Sequence, residues 1–382
     1  MRLTCRPVRA SVKRVGRLGS GCATSGGRPV TVDEPRPRTA GRPATQRDVA
    51  ELAGVSVATV SYVASGRRDR RSAATPEVTA RVRAAMEQLH YRPQRAGRVL
   101  QRRRTDLVAI AAYTPYNPWG LALMNQVEEV AEARGLGVVT LRYGHSVSRT
   151  DRAEHLLADG IADAAVVLAR PDFGADRLDR VAASGVPVLA IGAEGIERSP
   201  DAAWAALVQD QYPALEAGLD HLLRTGSRRV AYLTEGDADS PRTRSFRRAA
   251  DALGLDPARV ELAFSGTSTS LTSLETYQAV RALLDRPDAE RPDALMVSSD
   301  RGAIATLWTA IDLGLRVPED LRIIGAGNTP DGTAVSPPLS TIGCDAVAYR
   351  PAVEHLLARI DDPILPPERI SVPWRLILRG TT

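Results

Sequence analysis

The sequence predicts an α/β protein: an all-α helix-turn-helix headpiece followed by a pair of doubly wound α/β subdomains. Three observations carry this. Thr45 to Tyr62 has the pattern of two short helices joined by a tight turn. From Thr105 onward, apolar strand-like runs alternate with helical segments in two successive series, which implies parallel sheets covered on both faces. The charge is also divided: residues 1–104 hold 23 Arg or Lys against 7 Asp or Glu, and the remainder holds 27 against 38. The basic part coincides with the helix-turn-helix, which suits a polyanionic partner, although a solvated basic surface has the same composition.

Composition excludes several classes. The chain has 382 residues, enough for two or three domains, with 43% hydrophobic and 25% charged residues, as in ordinary globular proteins. No apolar run approaches the roughly 20 residues needed to cross a bilayer, so no membrane association is expected. The basic N-terminus has no continuous apolar core of the kind a secretory signal needs. Cys5, Cys22 and Cys344 are far apart, so neither a disulfide framework nor a zinc site is indicated, and a reducing cytoplasm is the expected location. His90, His145, His155, His221 and His355 show no metal spacing, and there is no Gly-x-Ser-x-Gly elbow or phosphate-gripping glycine loop. No enzyme activity, metal or cofactor is therefore expected.

The elements follow in order. Residues 1–41 are rich in Arg, Gly, Pro, Ser and Thr without periodicity, which predicts a disordered basic extension. Residues 42–104 form the headpiece. Val49, Ala50, Leu52 and Ala53 give its first helix an apolar face, Gly54 provides the left-handed stop, and Val55 plugs the turn. Ser56 is a good N-cap for the second helix, in which Val57, Val60 and Val63 repeat toward a shared core. An ordinary helical hairpin has the same pattern; a helix-turn-helix would place the second helix in the major groove of DNA. Thr75-Pro76-Glu77 starts a third helix, with Val78, Val82, Ala85, Met86 and Leu89 as its buried stripe and Pro93 beyond its end.

In residues 105–382 the first series has strands at Leu107–Ala111, Val138–Leu141, Ala164–Leu168 and Val186–Ile191, with a helix over Leu121–Arg134. The second has strands at Val230–Leu233, Val260–Phe264, Ala294–Ser298 and Leu321–Gly325, with helices over Ala214–Arg224, Thr243–Leu253, Leu274–Leu284 and Ala303–Leu313. Two series imply two subdomains with a cleft between them.

The run from Asp48 to Ser61, D-V-A-E-L-A-G-V-S-V-A-T-V-S, resembles the first signature of the lactose/galactose repressor family of bacterial transcription regulators. M86-E-Q-L-H-Y-R-P and R95-A-G-R-V-L resemble that family's third helix and hinge helix, in the right order. The likeness runs from about Arg42 to the C-terminus. It implies a periplasmic-binding-protein-like effector and dimerisation domain, with chain crossings between subdomains near Leu207–Pro213, Thr329–Leu339 and Asp361–Arg369. It also implies a homodimer on a near-palindromic double-stranded operator, and control by a small-molecule effector, a sugar or related metabolite. A hinge helix over 94–101 would fold on DNA.

Site residues come from the same likeness. Val57 and Ala58 fall at base-reading positions, where they can pack on thymine methyls but cannot form bidentate hydrogen bonds. Tyr62 falls where many members have Arg. Thr45, Thr59, Ser61 and Ser65 supply hydroxyls to phosphates, Ser56 is assigned to the same DNA-binding set, and Arg95 belongs to the hinge. Leu100 matches the leucine that the family wedges into a minor-groove step. Gly97 stands where Ala is usual and weakens the hinge helix by about 1 kcal/mol. For the effector, the likeness implicates Asn117, Trp119, Arg242, Asp300 and Asn328. Ser299 replaces an amide, and Gly327 replaces an acid that binds sugar hydroxyls in sugar-responsive members, which argues against a simple hexose. The competing readings are a free-standing solute-binding protein or ligand sensor, opposed by the basic headpiece, and an effector-independent DNA binder, opposed by the long acidic α/β portion.

Overall fold

A computed structural model describes residues 43–65, 74–92, 104–113, 118–144, 146–234, 239–264 and 273–382. The extension 1–41, the hinge segment 94–101 and the Ser/Thr-rich stretch 265–272 lie outside the described residues. The chain divides into two compact units, with the cut after Pro93.

The first unit contains α1 (Gln46–Ala53), α2 (Val57–Ser65) and α3 (Pro76–Gln88). Thr45 and Asp48 form a reciprocal capping box at the start of α1: the Asp48 carboxylate accepts from Thr45 N at 2.7 Å, and Thr45 Oγ1 accepts from Asp48 N at 3.4 Å. Gly54, at φ 64°, takes the left-handed stop that a side chain would strain. Ser56 Oγ accepts from Thr59 N at 3.1 Å and caps α2, and Thr75 caps α3 with Pro76 behind it. Val49, Ala50, Ala53, Val60, Val82, Ala85 and Tyr91 form the core.

Two sequence assignments change here. Leu52 is 46% exposed, because at 3.6 residues per turn it lies roughly 100° from the centre of the face set by positions 49, 50 and 53. Val57 is 44% exposed, whereas Val60 is fully buried. The core of α2 is therefore built on Val60 and, in part, Val63.

The second unit holds two six-stranded sheets. The first has the order β11-β5-β4-β3-β1-β2, all parallel, from β1 (Leu107–Ala112), β2 (Gly137–Arg142), β3 (Ala164–Leu168), β4 (Val188–Ile191), β5 (Ala205–Asp210) and β11 (Arg369–Pro373). The second has the order β12-β10-β9-β8-β6-β7, from β6 (Val230–Thr234), β7 (Val260–Phe264), β8 (Ala294–Val297), β9 (Arg322–Ala326), β10 (Ser340–Gly343) and β12 (Arg375–Ile377); only β12 runs antiparallel to its neighbour. The helices are α4 (Pro118–Ala133), α5 (Val147–Ala158), α6 (Ala175–Ala183), α7 (Tyr212–Arg224), α8 (Pro241–Ala252), α9 (Ser273–Leu284), α10 (Asp300–Asp312) and α11 (Arg350–Asp361). Strand alternation gives each sheet two cores. Val108, Ile110 and Ala112 pack on one face of the first sheet and Ala109 and Ala111 on the other; Val230 and Tyr232 divide from Ala231 and Leu233 in the second.

The crossings between sheets differ from two of those expected. The first falls at Gln211, just after β5. The second falls at 344–349, after β10 has joined the second sheet and before α11 packs on the first, not at Thr329–Leu339. The third falls at Trp374, between β11 and β12, not at Asp361–Arg369. The cause is four strands, β5, β10, β11 and β12, whose short or partly polar sequences carry too weak an alternation to be recognised.

Phe246, on α8, is fully buried and stacks on Tyr232 with ring centroids 4.3 Å apart. Phe246→Ala is expected to destabilise the protein by about 3–5 kcal/mol, read as a lowered midpoint in chemical denaturation. A second test uses pH. Glu154 on α5 is 6% exposed and bound by Arg177 and Arg180 of α6. The hydrogen bonds from Arg180, and then from Arg177, outweigh burial and lower its pKa. The ionised folded state is therefore favoured, and this stabilisation is present above about pH 4.3 and lost as pH falls through the lower folded value. The gap in melting temperature between wild type and Glu154→Gln should accordingly shrink between pH 7 and pH 3.

Candidate DNA interface and effector cleft

In the headpiece, Ser56, Val57 and Ala58 form an exposed patch at the N-terminus of α2. Nothing in the core requires Val57 or Ala58 to be apolar. Thr59 is half-buried, and its hydroxyl lies 2.9 Å from Ser56 Oγ. Ser61 and Tyr62 are half-buried along the same helix, which ends at Ser65. Thr45 has a structural duty: its hydroxyl donates to Asp48 at 2.9 Å within the capping box. Arg95 and Leu100 lie outside the described residues.

The cleft in the second unit gathers residues at the carboxyl ends of strands, where open α/β sheets take ligands. Trp119 starts α4 beyond β1, Gln209 ends β5, Ser298, Ser299, Asp300 and Arg301 follow β8, Gly327 follows β9, and Trp374 sits at the third crossing. Asn117 lies outside the described residues. The room in the cleft is about 90 Å³, small against the roughly 300–1,000 Å³ of typical small-molecule sites.

Arg242 reaches into this space from the first turn of α8. Its Nε donates to Gln211 Oε1 at 2.8 Å, its Nη1 donates to the Ser298 carbonyl, and its guanidinium carbon lies 5.5 Å from the Trp374 ring centroid. Gln211 Nε2 donates to Gln209 Oε1 at 3.2 Å, and Gln209 Nε2 donates to Tyr349 Oη at 3.2 Å. Tyr349 Oη also accepts from Trp119 Nε1 at 3.2 Å. One hydrogen-bonded chain therefore joins Arg242 in the second subdomain to Trp119 in the first, passing through the first and second crossings. Trp374 N donates to the Asp210 carbonyl at 2.9 Å, which ties in the third.

Asp300 and Asn328 depart from expectation. Asp300 borders the cleft but is 1% exposed. Its Oδ2 accepts from Thr329 N at 2.6 Å and from Thr329 Oγ1 at 3.0 Å, and its Oδ1 from Thr341 Oγ1 at 2.5 Å. Burial raises its pKa, with these donors opposing. The carboxylate anchors the loop after β9 to α10 and is not presented to a ligand. Asn328 does not line the cleft; its side chain donates to Asp345 at 3.1 Å and accepts from Arg379 at 2.7 Å. Its φ of 51° and the close packing of Gly343 against its Cβ turn it away. Gly327 has φ 128°, and a Cβ there would sit 3.6 Å from Asp300 Oδ2. An acid at this position would meet both backbone strain and a like charge. Ser299 Oγ accepts from Gly302 N at 3.0 Å and caps α10, a position that favours a short oxygen-bearing side chain.

Residues 45–94 match the bacterial regulatory proteins of the lacI family, and residues 219–382 match a periplasmic binding protein-like domain. The transcriptional repressor PurR of Aliivibrio fischeri is 30% identical over 330 residues, covering 84% of this chain and 92% of that protein. The chain belongs to the lacI family. It is a DNA-binding transcription regulator and not an enzyme. The ribose operon repressor of Escherichia coli K12 is 27% identical, over 88% of this chain and 99% of its own. Among solved structures, a CelR–cellobiose complex superposes with TM-score 0.61 at 26% identity, covering 89% of this chain and all of the other. The lac repressor dimer bound to operator and an anti-inducer superposes with TM-score 0.70 at 22% identity, covering 89% and 99%, and shares the fold.

In this lacI-family chain the cleft-region residues that the sequence left unrecognised include Gln209, Gln211, Arg301, Tyr349 and Trp374. Arg301 immediately follows Asp300, which is the one local cue to it. Gln209 and Trp374 flank crossings created by unrecognised strands, and Tyr349 acts through Gln209 and Trp119, a contact 140 residues distant in sequence for the former. Apart from Arg301, none carries a local signal.

Proposed function

We propose that the protein is a cytoplasmic, homodimeric repressor that reads a near-palindromic operator through two headpieces and is controlled by a small molecule bound in the cleft. Val57 and Ala58 contact base edges, and Ser61, Tyr62 and Thr59 help to fix the register on the phosphates. The hinge, with Arg95 and Leu100, joins the headpiece to the effector domain. The observation that carries this reading is the position of Arg242. It lines the cleft and holds Gln211 at the first crossing while lying against Trp374 at the third.

A ligand that competes for the Arg242 guanidinium disturbs these contacts and changes the angle between subdomains. It shifts operator affinity only by its differential affinity for the two arrangements. The small room in the cleft fits this coupling, because a ligand of ordinary size enters only if the subdomains part or Arg242 moves.

The test compares a headpiece fragment ending near Leu89 with the full-length protein on DNA. The fragment is expected to fold as a small helical domain and bind its site weakly, since hinge and dimer are missing. Full-length protein should bind far more tightly, with affinity falling steeply as salt rises. Equal affinity of the two would contradict dimeric, hinge-assisted recognition. A further variant, Leu100→Ala, should lose DNA bending in a gel-phasing assay together with at least about 1 kcal/mol of specific binding, leaving non-specific binding nearly unchanged; unaltered bending counts against the wedge.

A further inference from the structure

The cleft presents donors, and the acceptors of Asp300, Gln209 and the Ser298 carbonyl already hold protein donors. Arg242 uses Nε and Nη1 for protein contacts, and its Nη2 has no hydrogen bond among the described residues. Arg301 brings a second guanidinium to the same lining. Trp374 is 4% exposed, borders the cleft, and its indole N–H has no acceptor among the described residues. A buried donor without an acceptor is costly and uncommon in native proteins.

Acceptors tell the opposite story. Asp300 is buried with both oxygens holding protein donors, Gln209 Oε1 accepts from Gln211, and the Ser298 carbonyl accepts from Arg242. Glu194 is absent from the lining; its carboxyl lies close enough to Arg242 to feel its charge and accepts from Gln209 N at 2.6 Å. A neutral sugar offers hydroxyls that donate as well as accept, and a site of this kind leaves many of their protons unpaired. An oxyanion only accepts, and matches two guanidiniums and an indole N–H. The N-terminus of α10, which carries Ser299, Asp300 and Arg301 into the lining, adds a favourable dipole for negative charge.

We infer that the effector is an anion, a small molecule whose carboxylate or phosphate is held by Arg242 and Arg301 with Trp374 as a third donor. This rests on the proposed role of the cleft as the effector site. It also accounts for Gly327: an acid there would oppose an anionic ligand as well as Asp300.

Calorimetric titration of the full-length protein with glucose, gluconate and glucose 6-phosphate, and with ribose and ribose 5-phosphate, tests it. At least one charged member should bind 10-fold or more tightly than its neutral parent. Gluconate against glucose 6-phosphate distinguishes carboxylate from phosphate. Arg301→Gln should weaken that charged ligand at least 10-fold, Arg301→Lys should restore part of the loss, and raised salt should weaken it further. Tighter or equal binding of a neutral sugar, or no binding by any of the anions, overturns the anion assignment. A neutral sugar whose binding disappears in Arg242→Ala would overturn it while leaving the cleft as the effector site. If a bound anion obeys the Arg301 pattern but never alters operator affinity, the anion assignment stands and the regulatory role of the cleft fails.

Discussion

Ala58→Glu is expected to weaken operator binding by at least about 30-fold while leaving the headpiece folded. Ala58 is exposed in the first turn of α2, behind the Ser56 cap. A carboxylate in that turn faces the positive end of the helix dipole and contributes about 0.3–1 kcal/mol of stability. The same charge, set against a base edge and the neighbouring phosphates, repels DNA. A wrong contact at one base pair costs about 1–3 kcal/mol, and the dimer carries the change twice, so specific binding should fall by at least about 2 kcal/mol. Circular dichroism melting and fluorescence anisotropy on one preparation separate the two effects. A lower melting temperature together with weaker binding would point to a damaged fold, and unchanged binding would remove Ala58 from the interface.

Arg242→Ala should retain specific operator binding while abolishing its response to the effector. The headpiece and the cleft lie in different units of the chain, so the side chains that touch DNA stay in place, and a changed basal affinity would read the loss of the Arg242 contacts to Gln211 and Ser298. Within the cleft the loss is large, because it takes away both the ligand's cation and the donor that holds Gln211 and the Ser298 carbonyl. Charge-assisted hydrogen bonds of this kind contribute about 1.5–3 kcal/mol each. Titrating operator complexes with effector, by anisotropy, reads the response directly. A retained response in the variant would exclude Arg242 as the anchor.

How much of this was legible in the sequence varied with the range of the interaction. Caps, helical stripes and buried strands are local, so Gly54, Ser56, Thr75 and eight of the twelve described strands were found from spacing alone. Leu52 and Val57 were misassigned because a valine or leucine at the edge of an apolar stripe looks the same whether it faces the core or solvent. The strands β5, β10, β11 and β12 owe their existence to pairing with neighbours far away in sequence. Arg369–Pro373, for example, pairs with Ala206–Asp210. Trp119 and Arg242 were placed at the cleft by the family likeness. The engagement of Asp300 by Thr329 and Thr341, and the rotation of Asn328 toward Asp345 and Arg379, depend on folded neighbours that no local pattern announces.

Selection of bound DNA from a random pool with the purified full-length protein tests the central claim most directly. The selected sequence should be a near-palindrome with two half-sites. At physiological salt it should bind at least about 1,000-fold more tightly than its scrambled counterpart, and Ala58→Glu should cut that preference by at least about 30-fold. Equal affinity for selected and scrambled DNA would contradict the account.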